Sequence, residues 1–170
     1  MRLTEEETEP SRFLRFERVL AHGMKENGFR VDRGGARDVE WECCLAHGMM
    51  SEGGDGFSFG HAKPLKEPAA PSRHVFPDGV DCRMRLVRCV AMRNRLDGFD
   101  LGHGVRGVTL EGCFGDGNGW AEYYARDLKV WSGGNAFRRC RMTGRSQFVS
   151  GSSELEDFRS GTKPGSPEAT

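Results

Sequence analysis

The sequence predicts an all-β chain, folded as a short right-handed parallel β-helix of about five coils. Three observations carry that expectation. A Gly-Phe-x-hydrophobic phrase recurs as Gly28-Phe29-Arg30-Val31, Gly56-Phe57-Ser58-Phe59 and Gly98-Phe99-Asp100-Leu101. A second set of slots keeps step with it, anchored on Val19, Cys44, Cys89, Cys113 and Cys140. The 24 glycines separate short apolar runs, as corners with unusual backbone angles require. Repeats of this length stack coil on coil, so residues in one slot lie side by side, about 4.8 Å apart.

The elements follow in order. Each coil opens with a strand whose inward residues alternate: Leu14 and Phe16, Val39 and Trp41, Met84 and Leu86, Val108 and Leu110, Asn135 and Phe137. The three-residue step from there to the anchor breaks alternation and predicts a bend or bulge. Two residues past the anchor stand small or flexible side chains: Ala21, Ala46, Ala91, Gly115 and Met142. The last strand of a coil begins near Phe29, Phe57 and Phe99. In the fourth coil Leu128-Lys129-Val130 fits that position, which leaves Ala121 to Arg126 as an outward loop. Gln147-Phe148-Val149 is the last strand of the fifth. The long gap between Cys44 and Cys89 holds an insert at 60–80 whose Pro64, Pro68, Pro71 and Pro77 predict an irregular excursion. Residues 1–12 read as a polar lead, 13–150 as the β-helix and 151–170 as a tail. A βαβ fold would need amphipathic crossover helices, and none is evident.

Composition narrows the function. Formal charge is zero, although 20 of the 25 basic residues are arginine, the side chain suited to fixed contacts with carboxylates. Arg18, Arg88 and Arg139 share the slot before the anchor and read either as a solvated strand face or as a strip facing a polyanion. The balanced charge and the lack of a recognised motif argue against nucleic acid as a partner. No apolar run is long enough to span a membrane, and Met1-Arg2-Leu3-Thr4 runs into glutamates without a secretory signal. Cys44, Cys89 and Cys113 fit an inward ladder of small apolar groups. Cys43 with Cys82 is the better disulfide candidate. His22 and His47 share an Ala-His-Gly-Met corner and read as turn residues, since no third metal ligand accompanies them.

The chemistry-bearing slots flank the Phe column. Asp55, Asp97 and Arg126 stand two residues before it, in the slot that Asn27 begins. Arg30, Ser58, Asp100 and Lys129 stand one residue after it, between inward residues, so they are expected to point outward. Two readings stand side by side. Asp-Gly is a common turn former, and Asp100 with Lys129 makes a surface ion pair. Alternatively, Asp55, Asp97 and Asp100 converge as oxygen ligands for Ca²⁺. Asp97 and Asp100 as a hydrolytic carboxylate pair is a third arrangement, set by their separation.

The segment Cys89-Val90-Ala91-Met92-Arg93-Asn94-Arg95-Leu96-Asp97-Gly98-Phe99-Asp100 resembles the repeat of family 9 polysaccharide lyases, the calcium-dependent pectate lyases. Leu96 stands where the family pattern has the first of two aspartates. Gly115-Asp116-Gly117-Asn118-Gly119-Trp120 is similar to a second phrase of that family. The resemblance implies a right-handed β-helix, Ca²⁺ held by Asp55, Asp97 and Asp100, and Lys129 as the base in β-elimination of pectate or a related polyuronate. An acidic polysaccharide is then the partner, with Arg126 pairing to a second carboxylate and Trp131 stacking on a sugar ring. Family members are exported, which sets an extracellular expectation beside the absent signal. The competing class is a noncatalytic carbohydrate-binding or structural β-helix, in which exposed aromatics among Trp120, Tyr123, Tyr124 and Trp131 meet sugar rings.

Overall fold

In a computed structural model, residues 2–3, 11–31, 36–59, 80–102, 105–126, 135–149 and 153–160 are described. They form a right-handed parallel β-helix with three six-stranded sheets and a two-stranded addition, Ser11–Arg12 with Ala36–Arg37. Each coil crosses the sheets in the same order.

The first is a charged sheet: Arg15–Glu17, Glu40–Glu42, Val80–Val87, Val105–Glu111, Asn135–Arg138 and Ser153–Glu156. Its pairings align Phe16, Trp41, Leu86, Leu110 and Phe137, as the slot alignment requires, and add Leu155. The second is a small-residue sheet: Leu20–His22, Leu45–His47, Val90–Met92, Phe114–Asp116, Arg141–Met142 and Arg159–Ser160. The third is an aromatic sheet: Arg2–Leu3, Phe29–Val31, Phe57–Phe59, Phe99–Leu101, Tyr123–Arg126 and Ser146–Val149. The insert at 60–80, apart from Val80, lies outside the described residues. Ser153–Glu156 and Arg159–Ser160 carry the coil into the region read as a tail.

The expected bend before the anchor is a left-handed backbone corner. Arg18, Cys43, Arg88, Gly112 and Arg139 sit there with φ of 53°, 53°, 51°, 62° and 53°. Five of the six corners in this column are not glycine, counting Asp157 at φ 47°. Each L-residue held there costs on the order of 1 kcal/mol, which the packing beyond the corner must offset. That packing is the thiol column. Cys44, Cys89, Cys113 and Cys140 are buried, and each Sγ donates to a carbonyl of the preceding coil: Phe16, Trp41, Leu86 and Leu110, at 3.3, 3.3, 3.4 and 3.5 Å. Burial pushes the Cys44 and Cys113 thiols above the usual range, so they stay neutral. Cys43 is exposed and free; the Cys82 side chain lies outside the description.

In the aromatic sheet, Phe29, Phe57, Phe99 and Tyr123 stack ring on ring, with centroids 4.7, 5.1 and 4.9 Å apart. Each buried ring contributes roughly 1.5–3 kcal/mol by area alone. This stack overturns the expected register of the fourth coil. Tyr123, not Leu128, continues the Phe column, and Tyr123–Arg126 is a strand where an outward loop was expected. The reason is physical. A tyrosine extends the stack with nearly parallel rings, 7° from Phe99, while its hydroxyl donates to the Arg141 carbonyl at 2.9 Å. Leucine offers hydrophobicity without that stacking, and Tyr123 is consequently buried instead of facing sugar.

Candidate functional site

With the register corrected, the slot two before the aromatic column reads Asn27, Asp55, Asp97 and Ala121; Arg126 is not in it. Arg126 instead pairs with Val149 at the end of its strand, and its side chain is not described. The slot after the column reads Arg30, Ser58, Asp100 and Tyr124. Tyr124, not Lys129, is therefore the strand neighbour of Asp100. Lys129 and Trp131 lie outside the described residues.

Asp55 and Asp97 do stand in successive coils, as their slot requires, but they are not an open acidic edge. They are 2% and 4% exposed. The amide of Asp55 donates to Asn27 Oδ1 at 2.9 Å, that of Asp97 to Asp55 Oδ1 at 3.1 Å and that of Ala121 to Asp97 Oδ1 at 3.0 Å. Each side chain thus satisfies a backbone donor of the next coil at a corner the strand ladder does not reach. Asp100 is 1% exposed, and its Oδ2 accepts a hydrogen bond from Ser58 Oγ at 3.4 Å. Strand alternation places Asp100 opposite Phe99 and Leu101 as expected, yet it is shielded from water. Among the described residues no three His, Cys, Asp or Glu side chains are gathered as a metal cage.

A second polar chain, not assigned from sequence, runs beside this one. Asn94 Nδ2 donates to Ala46 O at 3.4 Å and to Asn118 Oδ1 at 2.9 Å, and Asn118 Nδ2 donates to Ala91 O at 3.0 Å and to Glu122 Oε2. Asn94 Oδ1 accepts the Met49 amide at 3.2 Å. Glu122 follows Gly28, Gly56 and Gly98 in a column where a side chain is ordinarily impossible. A Cβ on Gly56 would lie 2.6 Å from the Gly98 carbonyl. Glu122 fits because Gly115 replaces alanine in the adjoining column and Gly144 faces it; Cβ atoms there would come within 2.8 Å and 2.3 Å of its side chain. Burial raises its carboxyl above the usual range, against the hydrogen bonds from Asn118. The available sequence signal was the paired departure from both columns, Gly to Glu and Ala to Gly, in one coil.

On the outer surface, two groups of arginines differ in their partners. On the charged sheet they alternate with glutamates. Arg15 and Arg88 hold Glu42, while Arg85 and Arg139 hold Glu111. Hydrogen bonds from Arg15 and Arg85, in turn, hold Glu42 and Glu111 below the usual carboxylate range. The expected basic strip is therefore a charge ladder on a solvated strand face, at least at Arg88 and Arg139.

The second population lies at the corner between the small-residue and aromatic sheets. Arg93, Arg95 and Arg145 are exposed there, with Arg141 on the adjoining sheet. Among the described residues these four make no ion pair. Backbone hydrogen bonds fix the corner: Gly119 N–H donates to Asn94 O at 2.9 Å, Trp120 N–H to Leu96 O at 2.9 Å and Glu122 N–H to Arg145 O at 2.8 Å. Arg93 runs along Gly117, whose absent Cβ leaves its stem uncovered. Trp120, 50% exposed, stands between the coils of Arg95 and Arg145. Comparison of the chain with protein-family models, with curated proteins and with solved structures finds no match.

Proposed function

We propose that this β-helix binds acidic polysaccharide without cleaving it, through the corner bearing Arg93, Arg95, Trp120 and Arg145. One observation carries the reading: among the described residues these arginines stand without carboxylate partners beside an exposed indole, in a chain whose charged-sheet arginines are matched with glutamates. An unpaired guanidinium keeps its planar fork for a uronate carboxylate, and an exposed indole offers a flat apolar face to a sugar ring. Coils repeat every 4.8 Å or so, which lets an extended polymer meet several coils at once. A partner of this kind suits an extracellular protein.

Calorimetric titration with polygalacturonate and with a neutral glucan tests it. Binding of the acidic polymer alone, weakening as salt rises, is expected. Equal affinity for both polymers, or for neither, sinks the proposal.

Calcium-dependent lyase activity is the second reading, favoured by the juxtaposition of Asp55 and Asp97 with Asp100 close by in sequence. It requires Lys129 as base and a freer set of aspartate oxygens than those described. Unsaturated product formed from polygalacturonate with Ca²⁺, abolished by chelator and by Lys129→Ala, establishes that reading in place of the first.

A further inference from the structure

We infer that His22 and His47, with Met92, form a copper(I)-binding site on the outer face of the small-residue sheet. The alignment of that sheet sets His22 beside His47 and His47 beside Met92 on three successive coils. Ala21, Ala46 and Ala91 face the core, so the flanking side chains face outward. His22 is exposed and His47 half-exposed, which leaves the pair open to solvent. The imidazoles are near parallel, at 6°, with Nδ1 atoms 2.9 Å apart.

That contact needs one Nδ1–H and one Nδ1 lone pair, so both nitrogens are directed at a single shared space. A metal in that space would sit about 2.0–2.1 Å from each nitrogen, and a tetrahedral angle would then set the two nitrogens about 3.3 Å apart. The donor ring shifts its proton from Nδ1 to Nε2, and both Nδ1 lone pairs become ligands with no net proton released. A Cβ placed on Gly48 would meet the His22 ring at 3.8 Å, so the ring lies over a residue without a side chain.

The donor types select the ion. Neutral imidazole suits copper, and thioether sulfur selects Cu(I) among common metals. Met92 is the in-register third donor. The thioethers of Met24 and Met50, 44% and 65% exposed, stand past the same corners, where the Met50 amide donates to Met24 O at 3.1 Å. Calcium is a poor match for this set, because it takes oxygen ligands.

The test is an anaerobic titration of the full chain with Cu(I) against a chromogenic chelator. A Cys43→Ser, Cys82→Ser background removes thiol binding at those positions. One equivalent is expected, with His22→Ala and His47→Ala each weakening binding by about a hundredfold and Met92→Leu by about tenfold. Circular dichroism of each variant should match the parent, since these side chains lie outside the core. No binding by the parent, or undiminished binding by folded His47→Ala, overturns the site. Acidic-polysaccharide affinity is measured on the same samples and is expected to be indifferent to copper.

Discussion

The charged sheet and the corner beyond the small-residue sheet use the same side chain to opposite ends. On the sheet and at the bend that ends it, Arg15, Arg85, Arg88 and Arg139 lie against Glu42 and Glu111, and the positive charge is consumed within the fold. At the corner, Arg93, Arg95 and Arg145 have no such partners among the described residues, and Trp120 stands exposed with them. A zero net charge thus conceals a local surplus. Counting arginines cannot find it; pairing them can. The difference also separates two kinds of consequence. Changing a sheet arginine perturbs the fold's own electrostatics, whereas changing a corner arginine alters only what approaches from solution.

The strongest way to break that contrast is charge reversal at the corner. Arg95→Glu with Arg145→Glu should lower polygalacturonate affinity by on the order of a hundredfold, taking roughly 1.5 kcal/mol for each lost charged contact. The melting temperature should not fall, and a large drop would mean that these residues were structural after all. Next in size is an interior change. Asp97→Ala removes the acceptor of the Ala121 amide and should cost about 1–3 kcal/mol in denaturant unfolding. Asp97→Asn retains an acceptor and should cost much less. If both variants instead lose calcium-dependent turnover at unchanged stability, the acidic slot is catalytic and the lyase reading prevails.

Trp120→Ala should weaken polysaccharide binding by about tenfold, or 1.4 kcal/mol, at unchanged stability. The smallest effect belongs to the paired face. Arg88→Ala should lower the melting temperature slightly at low salt and not at high salt, with polysaccharide affinity intact. The pH dependence has a definite sign. Glu42 and Glu111 have folded values held below their unfolded ones, so their stabilisation is present above the unfolded carboxylate range, near 4.3. It is lost as pH falls through the lowered folded values. Melting curves at low salt should therefore show Arg88→Ala approaching the parent as the buffer is acidified. A gap that persists in acid would assign the Arg88 effect to something other than Glu42.

Much of the scaffold is legible in one dimension, because inward slots admit few side chains. Phe16, Trp41, Leu86, Leu110 and Phe137 align in the structure as their spacing required, and Ala21, Ala46, Ala91, Gly115 and Met142 do the same. The register of the fourth coil is not legible in this way, because hydrophobicity alone cannot rank Leu128 against Tyr123. The deciding partners are Phe99 on one side and the Arg141 carbonyl on the other. Shifting the register then placed Tyr124 beside Asp100.

The candidate sites were less legible than the coils. Slot position correctly located Asp55 and Asp97 in successive turns, and the Asp-Gly phrases flagged a corner. Exposure was the missing variable. Their carboxylates point into the stack of corner amides, where hydrogen bonds with the chain itself replace contact with solvent. His22 and His47 were visible as a shared slot, but the slot does not reveal that their Nδ1 atoms meet at 2.9 Å.

By itself the sequence determined the coil period, the residues that face inward and the places where the chain must turn. Those follow from local rules: alternation along a strand, and the scarcity of side chains that tolerate a tight corner. Only the tertiary structure decided which aromatic completes the stack, which arginines are neutralised and whether an aspartate serves solvent or backbone. Those outcomes depend on atoms brought together across chain separations as long as the 46 positions from Glu42 to Arg88. A slot fixes a residue's neighbours, but rotamer, burial and competing partners fix what it does with them.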